Sequence, residues 1–211
     1  MNQHPLDIVP SKSEKRYLQS RHELFRPTPL SIAFCGISTS GKSSQMTTVA
    51  NLLFPIMDNI ILISHTHRED PAWGDLKAKI EQRQIQRGEH PDTHPYVFQN
   101  LTQLPAIIQL QRERVMHDKE NDAPYVRQLL LILDDLLGDM NHSKILDAVV
   151  TRGRHSGISI LASSQTIKGL SSAMRKNFSC WAIGKLSAVD WQNFENEHAG
   201  SWVTREQLRE L

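Results

Sequence analysis

Short apolar runs alternate with segments of helical spacing along most of this chain, and the chemistry sits in the polar turns between them. Leu30 to Cys35 reads as a buried strand that stops abruptly at Gly36. Ser43 to Leu53 carries Met46, Val49, Ala50 and Leu53 at helical spacing, and Pro55 ends it. Further strands are predicted at Ile60 to Ile63, Tyr96 to Phe98, Leu129 to Leu133 (the most apolar), Ile158 to Ala162 and Cys180 to Ile183. Helices are expected over Asp75 to Arg87 with Leu76 and Ile80 inward, and across Ile145 to Val150. Another is expected over Leu104 to His117 with Ile107, Ile108, Val115 and Met116 inward. Asp118 to Pro124 reads as a charged loop. Apolar strands alternating with helices predict an α/β fold, a mostly parallel central sheet flanked by helices on both faces.

Residues 1–28 are polar, with only scattered apolar positions, and read as an N-terminal arm, mobile or docked on a neighbour. Within it, Lys15 to Phe25 could form a short helix. Residues 29–211 read as one domain, which the length of 211 residues with 39% hydrophobic and 22% charged can sustain. No apolar run approaches the roughly twenty residues of a bilayer span, so no transmembrane segment is expected. No apolar signal region is visible, and Cys35 and Cys180 cannot supply a disulfide framework. A reducing compartment fits, and secretion does not. A formal net charge of +1 excludes a uniformly basic coat, though not a local basic lining for nucleic acid.

Gly36-Ile37-Ser38-Thr39-Ser40-Gly41-Lys42-Ser43 fits the phosphate-loop pattern G-x-x-x-x-G-K-[ST]. Glycines let the backbone approach phosphate oxygens, amide groups converge on the anion, and the following helix adds its positive end. These eight residues and Ser44 are the expected nucleotide contacts. Lys42 would bridge the β- and γ-phosphates, and the Ser43 hydroxyl would bind Mg²⁺. Leu129 to Asp135 follows as an apolar strand ending in two acids. Asp134 would hold the Mg²⁺ ion through its water shell, and Asp135 would polarise the water that attacks the γ-phosphate. Asp135 is one methylene shorter than a glutamate in that role. Gln165, at the end of the Ile158 strand, would sit beside the γ-phosphate if that strand neighbours the Asp134 strand. Arg154 first and Arg152 second could project into a neighbouring subunit's site, although both could equally be exposed or ion-paired at a helix end. Arg175 is a third candidate, and Lys176 beside it could meet DNA phosphate.

Other features count for less. His65, His67, His90 and His94 lie in a loop-like segment with no cysteine nearby, so a zinc site is disfavoured. Lys77, Lys79, Arg83 and Arg87 on one helix could face DNA but read more simply as a solvated face. Trp73, Trp181, Trp191 and Trp202 are too dispersed for a base-stacking platform. The two cysteines read as small core hydrophobes.

Taken together, the loop Gly36 to Ser43, the paired acids after Leu129 to Leu133, Arg152-Gly153-Arg154-His155, Gln165 and Arg175 to Asn177 resemble the FtsK–HerA superfamily. The likeness is to the genome-packaging ATPases of poxvirus-like and other membrane-containing, double jelly-roll capsid viruses. It covers about Leu30 to Ile183. It implies a RecA/FtsK-like sheet with an additional strand, and a homo-oligomeric ring, pentameric or hexameric, that hydrolyses ATP with Mg²⁺ to drive double-stranded DNA into a preformed capsid. A capsid-vertex or viral membrane protein is implied as partner, with the virion or the host interior as the place of action (cytoplasmic if the chain is not viral). The chain lacks the extra DNA-orienting domain of cellular FtsK. Two other functions compete on the residues alone. A small-molecule P-loop kinase is opposed by a water-polarising Asp135, because kinases exclude water. A nucleotide-dependent assembly switch with little hydrolysis is kept open by Asp in place of Glu.

Overall fold

Leu129–Asp134 is buried along its whole length, and its side chains divide between two cores. Leu129, Leu131 and Leu133 join one and Leu130 and Ile132 the other, as a strand covered on both faces must. In the computed structural model, which describes residues 17–90, 92–136, 140, 143–200, 204, 206 and 207, this strand is central. It is β4 of a sheet comprising β1 (Ser31–Cys35), β2 (Asn59–Ser64), β3 (Val97–Phe98), β4, β5 (Ile158–Ser164) and β6 (Cys180–Ile183). The order is β3-β2-β4-β5-β1-β6 and every pairing is parallel. One face is covered by α1 (Lys42–Leu53) and α2 (Gly74–Gln86), through Met46, Ala50, Leu53, Leu76 and Ile80. The other face is covered by α3 (Leu104–Glu120), α4 (Lys144–Arg152), α5 (Ser172–Asn177) and α6 (Ala188–His198). The α/β class and the two helical layers are those expected, and the sheet is wholly rather than mostly parallel. Among the described residues, no helix is long and apolar enough to cross a membrane.

Several local expectations need correction. Met116 is 59% exposed, because α3 turns Ile108, Gln111, Val115 and Asp118 inward instead. The charged loop therefore begins later. Asp118 is buried in the last turn of α3, where Arg127 grips its carboxylate through Nε and Nη2 at 2.7–3.0 Å. Cys35 is buried, and burial pushes its thiol up to about 12. Cys180 is exposed, because β6 is an edge strand. Of the basic residues of α2, Lys79 and Arg87 are exposed, as a solvated face expects, while Lys77 and Arg83 are half-buried. Arg83 donates to the carbonyls of Met57 and Phe54 and stacks its guanidinium 3.4 Å from the Phe54 ring. Lys77, Lys79 and Arg87 donate to His67 O, Asn51 Oδ1 and Asp58 O. Arg83 and Arg87 thus bind carbonyls of the segment that follows α1, from Phe54 to Asp58.

Residues 1–16 of the expected arm, and Trp202, lie outside the described residues. Residues 17–28 pack on the chain's own body. The Tyr17 ring meets Val115 and Val126, its hydroxyl donates to His155 O at 3.2 Å, and Gln128 reaches Leu18 O at 3.0 Å. Of the helix expected across Lys15 to Phe25, the described part holds only a 3-10 turn at Glu23–Phe25. Gln19 and Ser20 bind backbone groups of Thr28 and His22 through their side chains, bonds that compete with a helical ladder.

Candidate active site

A parallel sheet gathers the carboxyl ends of its strands, so residues following β1, β4, β5 and β6 meet at one edge. The loop after β1 is held there from two sides. The Gly36 N–H donates to Ser164 O at 3.2 Å and the Ile37 N–H to Lys185 O at 2.8 Å, while Gly184 N–H returns a 2.7 Å bond to Cys35 O. Two of the nine expected nucleotide contacts, Gly36 and Ile37, therefore spend their amides on bracing the loop. A Cβ at Gly36 would stand 2.6 Å from Ser40 Oγ, a buried hydroxyl without a partner, so a larger residue there would push the Ser40 hydroxyl aside. Gly41 caps α1 at φ +80°, the left-handed region where glycine is favoured. Lys42 curls over the loop, its ammonium 2.8 Å from Gly36 O and 3.0 Å from Ile37 O.

Asp134, the last residue of β4, is buried yet bonded at both oxygens. Ser163 Oγ donates to Oδ1 at 2.6 Å. Trp73 Nε1 and Ser43 Oγ donate to Oδ2 at 3.2 and 3.3 Å. Burial pushes this carboxyl up, and the Ser163, Trp73 and Ser43 bonds pull against that, with Asp70 adding to the rise. Asp135 follows in the left-handed region at φ +51°. Its N–H donates to Ser163 Oγ at 3.1 Å, so one hydroxyl holds both acids. β5 lies between β1 and β4, as the role of Gln165 requires, and Gln165 Nε2 comes to 3.5 Å from Asp135 Oδ1. Ser43, Asp134, Asp135 and Gln165 thus share one corner with the loop. Sequence reasoning missed Ser163, Trp73 and the Gly184-Lys185 brace. Only the partial polar cluster Ser163-Ser164-Gln165 hinted at the first, and nothing in the local pattern signals the others.

The arginines lie elsewhere. Arg152 ends α4, and Arg154 sits in the 3-10 turn Gly153–Ser156 that leads into β5. Both are exposed, beyond the amino end of β5, whereas Cys35 pairs with Ser164 at its carboxyl end. Six residues of strand separate the two ends, about 20 Å at 3.3 Å per residue. Neither arginine can reach its own chain's phosphate loop. Arg175 is held on α5 by an ion pair to Glu197 of α6 at 2.6 Å and a bond to Leu170 O. Lys176 beside it is exposed.

Residues 90–205, more than half of the 211, match the family model described as Poxvirus A32 protein. No curated protein sequence matches the chain. Among solved structures, B204, the DNA-packaging ATPase from Sulfolobus Turreted Icosahedral Virus, superposes with a TM-score of 0.55 at 15% identity, over 80% of this chain and 82% of that one. The genome packaging NTPase B204 from Sulfolobus turreted icosahedral virus 2, in complex with ATP-gammaS, gives 0.52 at 14% identity, over 85% and 84%. The cytoplasmic domain of EssC gives 0.53 at 11% identity over 78% of this chain, which spans only 34% of that protein. At such identities the likeness is one of fold. The chain belongs to the Poxvirus A32 protein family, and it shares its fold with the DNA-packaging ATPase B204.

Proposed function

We propose that this chain is an ATP-hydrolysing motor that translocates double-stranded DNA and packages a viral genome into a preformed capsid. The observation that carries the reading is Asp135 beside Gln165, on neighbouring strand ends at the phosphate loop. A carboxylate there can take a proton from water, and the adjacent amide can donate to phosphate while accepting from that water. A kinase needs a bound acceptor at that place instead.

The residues fit nucleotide and cation. A Cβ at Gly36 would crowd Ser40 within the loop, and Ser43 with Asp134 offers a hydroxyl and a carboxylate 3.3 Å apart, hard oxygen donors suited to Mg²⁺. Phosphate would be met by the remaining loop and helix-start amides from Ser38 to Ser44, and by Lys42 after it leaves the carbonyls of Gly36 and Ile37. Ser43 and Asp134 would hold Mg²⁺, which supplies charge neutralisation on the phosphates. Asp135 would then act as general base, with Gln165 orienting the water. Arg154, or failing it Arg152, would act on the triphosphate of a neighbouring subunit in a homo-oligomeric ring, pentameric or hexameric. Arg175 is the weakest of the three, because its ion pair with Glu197 would first have to break. A capsid-vertex or viral membrane protein would anchor the ring in the virion or infected cell.

The test is phosphate release from ATP with and without duplex DNA. A motor is stimulated by the duplex. Phosphate transfer only to a small acceptor would replace the reading with a kinase, and binding without release under either condition would replace it with a switch.

A further inference from the structure

Trp73 has no place in the chemistry so far, yet it is fully buried and aims its one polar atom at the metal-site carboxylate. The ring sits in the α1/α2 core with Met46, Ala50 and Leu76. It is gripped through its own segment: Asp70 Oδ1 accepts from Ala72 N–H at 2.9 Å, and Thr47 Oγ1 of α1 donates to Ala72 O at 3.0 Å. We infer that Trp73 is a positioning residue, whose indole N–H fixes Oδ2 of Asp134 in the orientation that binds the divalent cation. This rests on the reading of Asp134 as a cation-holding residue.

The argument turns on what each donor at Asp134 can do. Oδ1 is committed to Ser163. Oδ2 accepts from both Ser43 and Trp73, and a hydroxyl can offer a lone pair to a cation while its O–H still donates, but that hydroxyl can also rotate its proton away. An indole N–H only donates. It cannot compete for the cation or exchange roles, and its rigid, packed ring leaves it nowhere to turn. Trp73 therefore fixes the orientation of Oδ2 whichever way the Ser43 hydroxyl turns. Groups that orient a metal ligand from behind change metal affinity by about 10- to 100-fold when removed.

The experiment compares Trp73→Phe, which keeps an apolar ring and deletes the donor, with wild type and Asp134→Asn. ATP-analogue affinity is measured in EDTA and in Mn²⁺, and bound Mn²⁺ is counted directly by electron paramagnetic resonance. Trp73→Phe should bind nucleotide as wild type does in EDTA, and Mn²⁺ about tenfold more weakly in the nucleotide complex. Mn²⁺ affinity within twofold of wild type overturns the inference, provided Asp134→Asn loses it. An equal loss in EDTA also overturns it, since the ring would then only be packing. If Asp134→Asn itself keeps Mn²⁺, the reading of the metal site falls and this inference with it. Should Trp73→Phe fold poorly, 3-benzothienyl-L-alanine introduced in place of Trp73 retains both rings and removes only the N–H, and the same outcomes decide.

Discussion

Asp135→Asn isolates the proposed base more cleanly than any other change at the site. Asp135 is held at φ +51°, where most residues carry a penalty of about 1–2 kcal/mol, but Asn visits this region nearly as readily as Asp. Its backbone bond to Ser163 does not involve the side chain, and Asn can still meet Gln165. Stability should therefore change by less than about 0.5 kcal/mol. The chemistry should not survive, because an amide cannot accept the proton from water. Loss of a general base costs about 10²- to 10⁴-fold; with Gln165 left to orient the water, we expect about 10³-fold. That corresponds to roughly 4 kcal/mol of transition-state stabilisation. Single-turnover phosphate release measures the rate, and fluorescent ATP-analogue titration measures binding, which should stay within about threefold because Ser43 and Asp134 are untouched. Asp135→Gly completes the test. It removes the smaller left-handed penalty that Asp carries and adds about 0.5–1 kcal/mol of glycine entropy, so stability should change little while the protein stays inactive. A rate loss below tenfold would refute the base assignment, and a parallel loss of binding would make Asp135 a metal ligand instead.

Other positions give further expectations. Lys42→Ala removes a charge-assisted contact of about 1.5–3 kcal/mol, so nucleotide affinity should fall roughly 10- to 150-fold by calorimetry. Arg154→Ala subunits mixed into wild type should depress ATP turnover more steeply than their fraction, whereas a proportional decline would oppose a role across subunits. Asp118→Asn should lower stability by about 1–2 kcal/mol at neutral pH in urea unfolding, a modest figure because the Arg127 side chain is 38% exposed. Although burial raises the Asp118 carboxyl, the bonds from Arg127 outweigh it, and the folded-state value lies below the ordinary one. The stabilisation is thus present above the ordinary carboxylate range and is lost as pH falls, so wild type and Asp118→Asn should converge between about pH 5 and pH 2.

The strands were legible because a parallel sheet buries both faces, leaving runs such as Leu129 to Leu133 with no polar position. The phosphate loop was legible because its chemistry fixes residue types at fixed spacing. Where burial is one-sided the signal faded. In α6 only Phe194 and Glu195 are buried, so its eleven residues read as polar chain. In α3 the inward positions include Gln111 and Asp118, whose Nε2 and carboxylate bond to partners outside the helix in Arg127 and Ser156. Hydrophobicity cannot announce such a residue, and Met116 took its place in the expected pattern. Trp73 and Ser163 were invisible for a related reason. Their roles arise from what lies across the sheet, at a sequence separation of 61 residues for the pair Trp73–Asp134 and 29 for Ser163–Asp134.

Strand order also separates the chemistry in space. All-parallel pairing places the loop, both acids and Gln165 at the carboxyl edge, while the turn carrying Arg154 precedes β5 at the amino edge. With about 20 Å of strand between them, no side-chain rotation brings the guanidinium to its own triphosphate. If Arg154 takes part in catalysis, it does so on another subunit, through a contact joining the amino edge of one chain to the carboxyl edge of the next. Such a contact is either heterologous, propagating into a closed ring or an open helix, or reciprocal within a two-fold pair that engages both sites at once. Full DNA-stimulated turnover by an isolated monomer would therefore exclude Arg154 from the reaction, whatever its effect on stability.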